Sequence, residues 1–415
     1  MKLQPVRGTR DIFGEEALLF LEIQSQFAYW AQIHDFQPIE TPIFEFSQVF
    51  KRSLGDETDI VNKEMYTFAD RSGDSLTLRP EGTASVARAI LSNSMLRDLP
   101  LKLYYSGPMF RHERPQKGRY RQFQQFGVEL IGVDSPIADI EVLSCAWSFF
   151  KACSLDSKVQ LEINSLGDQE SRDNYRTQLV QYFNTCKNQL SEESQKRLLS
   201  NPLRILDSKE AQDQEWIQKA PPVQQALNNQ SLAFFESVLK GLTDLNIPFV
   251  VNPRLVRGLD YYNHCVFEFT TTHLGSQNAV LSGGRYNNLV EALGGPSTPG
   301  VGWAAGTDRL ALLLEKPQNQ SQTVAIITTS PDVSGEALIL LTQLRQHGIP
   351  SQLIYSGNVS KQLKKADKRH CSHALLVGQV ELTSDTFNLK NLKTGQQSQL
   401  NKESLIKELR VFYGR

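Results

Sequence analysis

The 415-residue chain is poor in cysteine and has no long apolar segment. Its five cysteines are scattered without C-x-x-C spacing, so the sequence predicts reduced thiols and no disulfide framework. No apolar run approaches the ~20 residues that cross a bilayer. The N-terminal segment also lacks the apolar core of a secretory signal. These absences argue against a membrane-spanning protein and against a disulfide-stabilised secreted one, and they favour a cytoplasmic location.

An excess of one charge sign is also missing, because the formal net charge is −1. The charges are nevertheless unevenly distributed, with a net charge of +5 over residues 322–415 and −6 over the remainder. A basic C-terminal part on an acidic body suits RNA or another polyanion as partner, but ordinary surface variation can produce the same excess. The length and the 40% hydrophobic composition are those of a globular protein with two or three domains.

Hydrophobic periodicity predicts the main elements of the first part of the chain. Helical spacing predicts helices over 15–34 and 83–93. Alternation over 101–113 and 121–133 predicts two strands that form an antiparallel hairpin around a polar loop. The Gln-, Asn- and Glu-rich stretch 168–235 predicts a mostly helical insertion between two sheet-forming parts.

The second part of the chain shows strand patterns again. We predict strands over 249–251 and 264–272, followed by a glycine-rich turn over 281–289. The polar segment 316–322 is predicted to be a linker. Beyond it, a β-α-β-α-β pattern predicts a small α/β domain with a largely parallel sheet.

The loop of the predicted hairpin concentrates cationic side chains. Residues 111–121 contain five arginines and lysines against a single acid, Glu113. Guanidinium groups bind phosphate oxygens through paired hydrogen bonds, so the loop suits a polyphosphate or an RNA end, although a solvated basic hairpin has the same composition. Phe123 offers a flat apolar face for a purine ring. On the returning strand, Gln125 and Glu129 share parity and are expected to face the same side.

Residues 110–132 resemble motif 2 of the class II aminoacyl-tRNA synthetases, in the form typical of the histidyl-tRNA synthetase family. Five further blocks resemble, in family order, motif 1 (40–45), the amino-acid-binding segment (77–88), the two signatures of the histidine enzyme (255–269 and 282–295) and motif 3 (300–314). The resemblance extends over essentially the whole chain.

The resemblance implies an α+β fold with two domains. Residues 1–321 would form the class II catalytic domain, an antiparallel sheet flanked by helices, with the helical insertion at about 168–235. Residues 322–415 would form an α/β anticodon-binding domain. The implied activity is that of a histidine–tRNA ligase, which uses ATP with Mg²⁺ and joins histidine to tRNA(His) through histidyl-adenylate. Motif 1 implies a homodimer.

The resemblance also implies a set of histidine-binding residues, namely Glu81, Gly82, Thr83, Gln125, Glu129, Tyr261 and Tyr262. Within this set, Glu81 and Thr83 correspond to residues that hold the α-amino group, a charge-assisted contact. Glu129 and Tyr262 correspond to residues that recognise the imidazole, whose two ring nitrogens differ. On their own, Tyr261 and Tyr262 would be interpreted as core residues.

By the same resemblance, the ATP-binding residues are Arg111, Glu113, Arg119, Phe123 and Arg309. Arg111 and Arg257 are the implied catalytic residues. Two fixed cations near the α-phosphate would stabilise the transition state more than the ground state. One position departs from the family pattern, because Asp308 stands where motif 3 usually has glutamate and its side chain is shorter by a methylene.

Two regions are implied to contact tRNA. Arg114 and Gln116 match the loop that approaches the acceptor end, whose unpaired bases suit such contacts. The lysine-rich segment 360–370 is a predicted helix of the anticodon-binding domain, although a solvated lysine-rich helix would have the same composition.

We assign no protein metal ligands. His370, Cys371 and His373 lie close together, but three ligands at this spacing match no common structural zinc site. Two other functions remain open at this point. A non-catalytic, histidine-binding regulatory paralogue of ATP phosphoribosyltransferase would lack the C-terminal domain. A stress-sensing RNA-binding module would usually carry a kinase, for which the chain has no room.

Overall fold

The computed structural model describes residues 3–55, 58, 60–257, 259, 261–275, 278–314 and 322–414. The chain divides into two compact units, Met1–Gln318 and Asn319–Arg415. The predicted linker over 316–322 lies outside the described residues, apart from its last residue. Within the described ranges, no helix has the length and apolarity needed to cross a membrane.

The first unit contains ten α-helices and eleven strands among its described residues, besides short 3-10 and π-helical turns. The helices are α1 (Glu15–Ile33), α2 (Ser47–Leu54), α3 (Thr83–Ser92), α4 (Pro136–Ala152), α5 (Gln169–Thr185), α6 (Glu192–Ser200), α7 (Ala211–Lys219), α8 (Asn229–Asp244), α9 (Leu289–Ala292) and α10 (Thr307–Leu314). The strands are β1 (Gln37–Pro38), β2 (Phe44–Phe46), β3 (Tyr66–Ala69), β4 (Ser75–Leu78), β5 (Leu101–Phe110), β6 (Gln122–Ile131), β7 (Gln160–Ser165), β8 (Phe249–Val251), β9 (Asn263–Thr270), β10 (Ala279–Arg285) and β11 (Gly300–Gly306).

Eight of these strands form the central sheet, in the order β1-β5-β6-β11-β10-β9-β7-β8. The six inner strands are antiparallel to their neighbours, and β1 and β8 add parallel pairs at the two edges. The predicted antiparallel sheet flanked by helices is therefore confirmed, with mixed pairing only at its edges. Strands β2, β4 and β3 form a separate small antiparallel sheet.

The β5–β6 hairpin carries its basic loop beyond the end of the central sheet. Its register runs from Leu101 opposite Ile131 to Phe110 opposite Gln122. Side chains of β6 alternate as strand geometry requires. Phe126 enters the main apolar core beneath α1 and α4 together with other aromatic residues, and the Phe27 and Phe126 ring centroids lie 4.3 Å apart. Residues of the opposite parity on β6 therefore face away from this core.

The predicted glycine-rich turn over 281–289 is wrong for its first half, because residues 279–285 form strand β10. A Cβ atom on Gly283 would collide with the carbonyl oxygen of Gly302 on the adjacent strand β11. The glycine therefore allows two strands to approach closely, and a glycine is needed here for that contact and not for a turn. The sequence pattern does not distinguish this use from a turn.

The chain between β7 and β8 forms helices α5–α8, which extend from Gln169 to Asp244. Helices α5–α7 have an apolar core of their own, whereas the buried apolar residues of α8 belong to the main core. The buried carboxylate of Asp213 helps to hold these helices together. It accepts hydrogen bonds from the hydroxyls of Ser191, Ser194 and Ser208 at 2.6–2.8 Å. The insertion is therefore a folded subdomain with its own core.

The second unit has helices α11 (Ser334–Gln346), α12 (Val359–Lys368), α13 (Gln379–Ser384) and α14 (Lys402–Phe412), and strands β12 (Val324–Thr328), β13 (Ser351–Leu353), β14 (His373–Val377), β15 (Thr386–Asn391) and β16 (Gln397–Asn401). Its sheet has the order β13-β12-β14-β15-β16. The first three strands are parallel, as the β-α-β-α-β pattern predicts. Strands β15 and β16 pair antiparallel, because the short turn between them permits no crossover.

A buried ion pair joins the central sheet to α4. Arg285, at the end of β10, and Asp139 of α4 are both fully buried, and Arg285 Nε donates to Asp139 Oδ2 at 3.0 Å. The remaining guanidinium nitrogens donate to the carbonyl oxygens of Val133 and Ser135 at 3.0 Å each. The pair is thus fully hydrogen-bonded, the condition under which a buried charge is tolerated.

Removing the carboxylate of this pair should destabilise the first unit strongly. We expect Asp139→Asn to lower the free energy of unfolding by about 3–5 kcal/mol, because Arg285 would stay buried without a counter-charge. Urea unfolding followed by circular dichroism measures the change. Lys219→Met, which removes an exposed pair with Glu215, is the control and should leave the midpoint unchanged. A wild-type midpoint for Asp139→Asn would contradict the assignment.

Candidate active site

A cavity of about 270 Å³ opens on the face of the central sheet opposite the main core. Strands β6, β9, β10 and β11 supply its floor, and the hairpin loop and α10 supply part of its wall. The residues predicted from the sequence that line it are Glu81, Thr83, Arg111, Glu113, Arg119, Phe123, Gln125, Arg257, Tyr261, Tyr262 and Arg309. Residues that lie far apart in sequence are therefore brought together in one cavity.

Four predicted residues do not line this cavity. Gly82 caps α3, where a Cβ atom would collide with the ring of Tyr105. Glu129 is fully buried beneath the cavity floor. Arg114 and Gln116 are exposed on the hairpin loop.

The carboxylate of Glu81 is fixed at the start of α3. It accepts hydrogen bonds from the backbone N–H groups of Thr83 and Ala84, each at 2.8 Å. Burial raises the pKa of Glu81, while these two N–H donors oppose the shift. A carboxylate held by backbone donors at a helix N-terminus is well oriented to receive a cationic group.

Glu129 is held by hydroxyl donors on both of its oxygens. Thr83 Oγ1 donates to Oε1 at 2.6 Å, and the Tyr286 hydroxyl donates to Oε2. Gly302 on the neighbouring strand provides the space for this carboxylate, because a Cβ atom there would collide with Oε2. Burial raises the pKa of Glu129 to about 8. Sequence reasoning missed Tyr286, although this residue lies inside a block that resembles a histidine-enzyme signature.

Tyr261 and Tyr262 form an aromatic side of the cavity. Their ring centroids lie 4.5 Å apart, and Tyr261 meets Tyr286 edge-on at 5.8 Å. Both residues also belong to a small apolar cluster with Tyr286. They are therefore core residues that line the cavity at the same time.

Cationic side chains also line the cavity, and one of them, Arg257, lies 5.8 Å from the centroid of the Tyr262 ring. Arg111 Nε donates to the carbonyl oxygen of Pro80 at 2.9 Å, and its guanidinium carbon lies 5.4 Å from the centroid of the Phe123 ring. Arg257 forms an ion pair with Glu268 of β9. Sequence reasoning missed Glu268. Strand alternation could have found it, because its neighbours Phe267 and Phe269 point into the main core.

The hairpin loop and α10 meet at the mouth of the cavity. Glu113 forms an ion pair with Arg119, and one of its oxygens lies 3.9 Å from Arg111 Nη1. Arg309, on the first turn of α10, donates from Nη1 to the carbonyl oxygen of Ala279 at 2.6 Å and from Nε to that of Gly118 at 3.4 Å. Arg309 thus connects the loop with the beginning of β10.

The helical insertion contacts the segment that carries Arg257. The side-chain amide of Asn164 donates to the carbonyl oxygen of Leu255 at 2.9 Å, and Gln224 of the insertion donates to Asn164 at 3.0 Å. Val256 also packs against the core of the insertion. The position of this segment therefore depends on the insertion.

The His370–His373 region is occupied by local hydrogen bonds. His373 Nδ1 lies 3.1 Å from Ser372 Oγ, and Gln352 Nε2 donates to Cys371 Sγ at 3.1 Å. In the part of the chain that the structure describes, no group of three or more His, Cys, Asp or Glu side chains is arranged to hold a metal ion.

Comparison with known proteins gives full-length relatives. The family model for histidyl-tRNA synthetase matches residues 8–310, and the model for the anticodon binding domain matches residues 323–411. The histidine–tRNA ligase of Rhodospirillum rubrum is 48% identical over 396 residues, 95% of each chain. That of Listeria innocua is 44% identical over 419 residues, 99% of this chain and 98% of its own length.

Solved structures agree with this result. The apo histidyl-tRNA synthetase of S. aureus is 34% identical, covers 99% of this chain and 100% of its own, and superposes with a TM-score of 0.81. An ATP phosphoribosyltransferase regulatory subunit/histidyl-tRNA synthetase from Bacillus halodurans C is 23% identical with a TM-score of 0.67, a likeness of fold alone. Fold and cavity define a class II aminoacyl-tRNA synthetase. Within that class, the chain belongs to the histidyl-tRNA synthetase family.

Glu129 should make the stability of the chain fall as the pH rises. Its pKa of about 8 in the folded chain exceeds the ~4.3 of an unfolded glutamate. The folded state therefore keeps a proton that the unfolded state loses, and between these two values the stability contributed by Glu129 decreases with pH. The slope is at most about 1.4 kcal/mol per pH unit.

Urea unfolding at pH 5, 6, 7 and 8 measures this effect. We expect the stability of Glu129→Gln to fall less steeply with pH than that of the wild type. Glu141→Gln, at a partly exposed carboxylate on α4, is the control and should follow the wild type. Parallel curves for Glu129→Gln and wild type would rule out the raised pKa.

Proposed function

We propose that this chain activates histidine with ATP and then transfers it to the 3′ end of tRNA(His). The observation that carries the proposal is a single cavity with a buried acceptor, Glu129, beneath one end and arginines along the other. An acceptor beneath a cavity suits a small hydrogen-bonding side chain such as imidazole. Guanidinium groups suit phosphates.

Histidine would lie over β6 and β10. Glu81 and Thr83 would receive its ammonium group, with Gln125 assisting and Gly82 leaving space for the turn into α3. Glu129 and Tyr262, with Tyr261 beside them, would recognise the imidazole. An apolar amino acid of similar shape would occupy the same place without the hydrogen bonds that an imidazole would add to Glu129 and Tyr262, which disfavours such a substrate.

ATP would occupy the arginine-lined end. Phe123 and Arg309 would enclose the adenine, and Glu113 would contact its edge. Arg119 would turn from Glu113 to the terminal phosphate, exchanging one anionic partner for another. Mg²⁺ would supply charge neutralisation for the phosphates. The carboxylate of Glu268, which lines the cavity, is an oxygen donor of the kind that this ion prefers.

Arg111 and Arg257 would act in the first chemical step. The histidine carboxylate attacks the α-phosphorus, the bond from that phosphorus to the bridging oxygen breaks, and pyrophosphate leaves. Negative charge concentrates at the α-phosphate in the transition state, where two fixed cations are most effective. In the second step a ribose hydroxyl of the tRNA attacks the carbonyl carbon of the adenylate, and AMP leaves.

The proposed tRNA contacts lie in both predicted domains, 1–321 and 322–415. Arg114 and Gln116 are exposed on the hairpin loop, where an acceptor end could reach them. Helix α12 buries Gln362 and Ala366 and exposes Lys361, Lys364 and Lys368. A helix with one basic, exposed face supports RNA binding by the second unit. It therefore favours a tRNA ligase over the regulatory paralogue.

A homodimer in the cytoplasm completes the proposal. The small sheet exposes Phe44, Phe46 and Phe68, which are 45–58% exposed, beside the block that resembles motif 1. Exposed aromatic residues that cluster on one sheet support burial against a second copy of the chain.

The first experiment is ATP–pyrophosphate exchange with each of the twenty amino acids, without tRNA. We expect exchange with histidine alone. Arg257→Ala should lower the rate by about 10²–10³-fold, because a cation that stabilises the transition state is lost. Arg71→Ala, at an exposed arginine between β3 and β4, is the control and should keep the wild-type rate. No exchange by a folded, histidine-binding wild type would favour the regulatory function instead.

A second experiment separates tRNA binding from activation. Lys364→Glu with Lys368→Glu should raise KM for tRNA about tenfold or more and flatten its salt dependence, because phosphate contacts are lost. Exchange without tRNA should not change. Lys407→Glu on α14, an exposed lysine of the same unit, is the matched control. Equal losses in exchange and charging would contradict a separate RNA-binding role for α12.

A further inference from the structure

Arg10, in the segment before α1, connects three parts of the catalytic unit. Its Nη2 forms an ion pair with Asp308 Oδ1 at 2.9 Å, and its Nη1 pairs with Glu16 at the start of α1. Its guanidinium carbon lies 4.4 Å from the ring centroid of Tyr120 on the hairpin loop. Arg10 itself does not line the cavity.

Asp308 transmits this contact to the floor of the cavity. Its second carboxylate oxygen, Oδ2, accepts a hydrogen bond from the backbone N–H of Gln124 at 3.2 Å. Gln124 lies between Phe123 and Gln125 on β6, and Asp308 immediately precedes Arg309 on α10. One carboxylate, 5% exposed, therefore sets the spacing between the first turn of α10 and the strand that carries Phe123.

The segment around Arg10 is itself fixed to the hairpin loop. The backbone N–H of Arg121 donates to the carbonyl oxygen of Gly8 at 2.8 Å. Gly8 has a φ of +86°, and a Cβ atom there would stand 2.8 Å from Arg121 Cδ. A side chain at this position would therefore push the segment away from the loop.

We propose that Arg10 is a positioning residue for the ATP-binding half of the site, an inference that rests on the proposed function. Arg10 neutralises the buried Asp308 and so keeps Arg309 and Phe123 at the separation that the adenine requires. The histidine-binding half is held independently, because Glu81 is fixed by the N–H groups of α3 and Glu129 by Thr83 and Tyr286.

The proposal also explains the departure from the family pattern in motif 3. The aspartate at 308 is shorter than the usual glutamate, yet both of its oxygens have partners. Arg10 reaches it with one nitrogen while a second nitrogen holds Glu16. A planar guanidinium can bridge two carboxylates and stack on Tyr120 at once, which an ammonium group cannot do.

The test is the dissociation constants for ATP and for histidine, measured separately by titration calorimetry on the full chain. Arg10→Met should weaken ATP binding about tenfold and leave histidine binding within about twofold. Arg10→Lys should fall between Arg10→Met and the wild type, because it keeps the charge but loses the fork. Lys102→Met is the matched control: Lys102 is 21% exposed, pairs with Glu141 across two elements and does not line the cavity. Both of its affinities should be those of the wild type.

A double-mutant cycle tests the route through Asp308. Arg10→Met should weaken ATP binding no further when Asp308→Asn is already present. Additive losses, equal losses for both ligands, or a folded Arg10→Met with wild-type ATP affinity would each overturn the inference. Thermal unfolding establishes that each variant is folded. If Arg10→Met does not fold, the comparison is made with Arg10→Lys instead. A wild type that binds histidine but not ATP would overturn the proposed function itself.

Discussion

The buried ion pair between Arg285 and Asp139 fixes the strand on which the proposed amino-acid end of the site depends. Arg285 ends β10, and the next residue, Tyr286, donates its hydroxyl to Glu129. Since Arg285 also holds the carbonyl oxygens of Val133 and Ser135, the end of β10 and the start of α4 cannot move independently. Recognition at this end would therefore rest on buried groups, for which the loss of a hydrogen-bond partner is costly.

The end proposed for the nucleotide is built differently. Two of its arginines are paired with carboxylates, Arg119 with Glu113 and Arg257 with Glu268. These pairs lower the cost of keeping the guanidinium groups partly buried. Phosphate oxygens would then replace the carboxylates as partners. Binding at this end would consequently involve an exchange of ion-pair partners, whereas binding at the other end would require little rearrangement of the core.

Much of this arrangement could be predicted from the sequence, and the limits have physical causes. Strand alternation predicts the β5–β6 hairpin, because its period of two survives in the local sequence. The resemblance supplies most of the cavity residues. The pairing of Arg10 with Asp308 joins residues 298 positions apart, and no local pattern records such a contact. The turn predicted at Gly283 is wrong for a related reason, since the strand that this glycine approaches lies elsewhere in the sequence.

The two edges of the central sheet limit its association with other sheets while the chain folds. Both edge strands are very short, since β1 spans Gln37–Pro38 and β8 spans Phe249–Val251. Prolines lie within or next to them, at Pro38 and Pro248, and remove backbone donors. An edge with few free N–H and C=O groups offers little template for a foreign strand. An eight-stranded sheet of this kind can therefore form in a crowded solution with little tendency to join other sheets edge to edge.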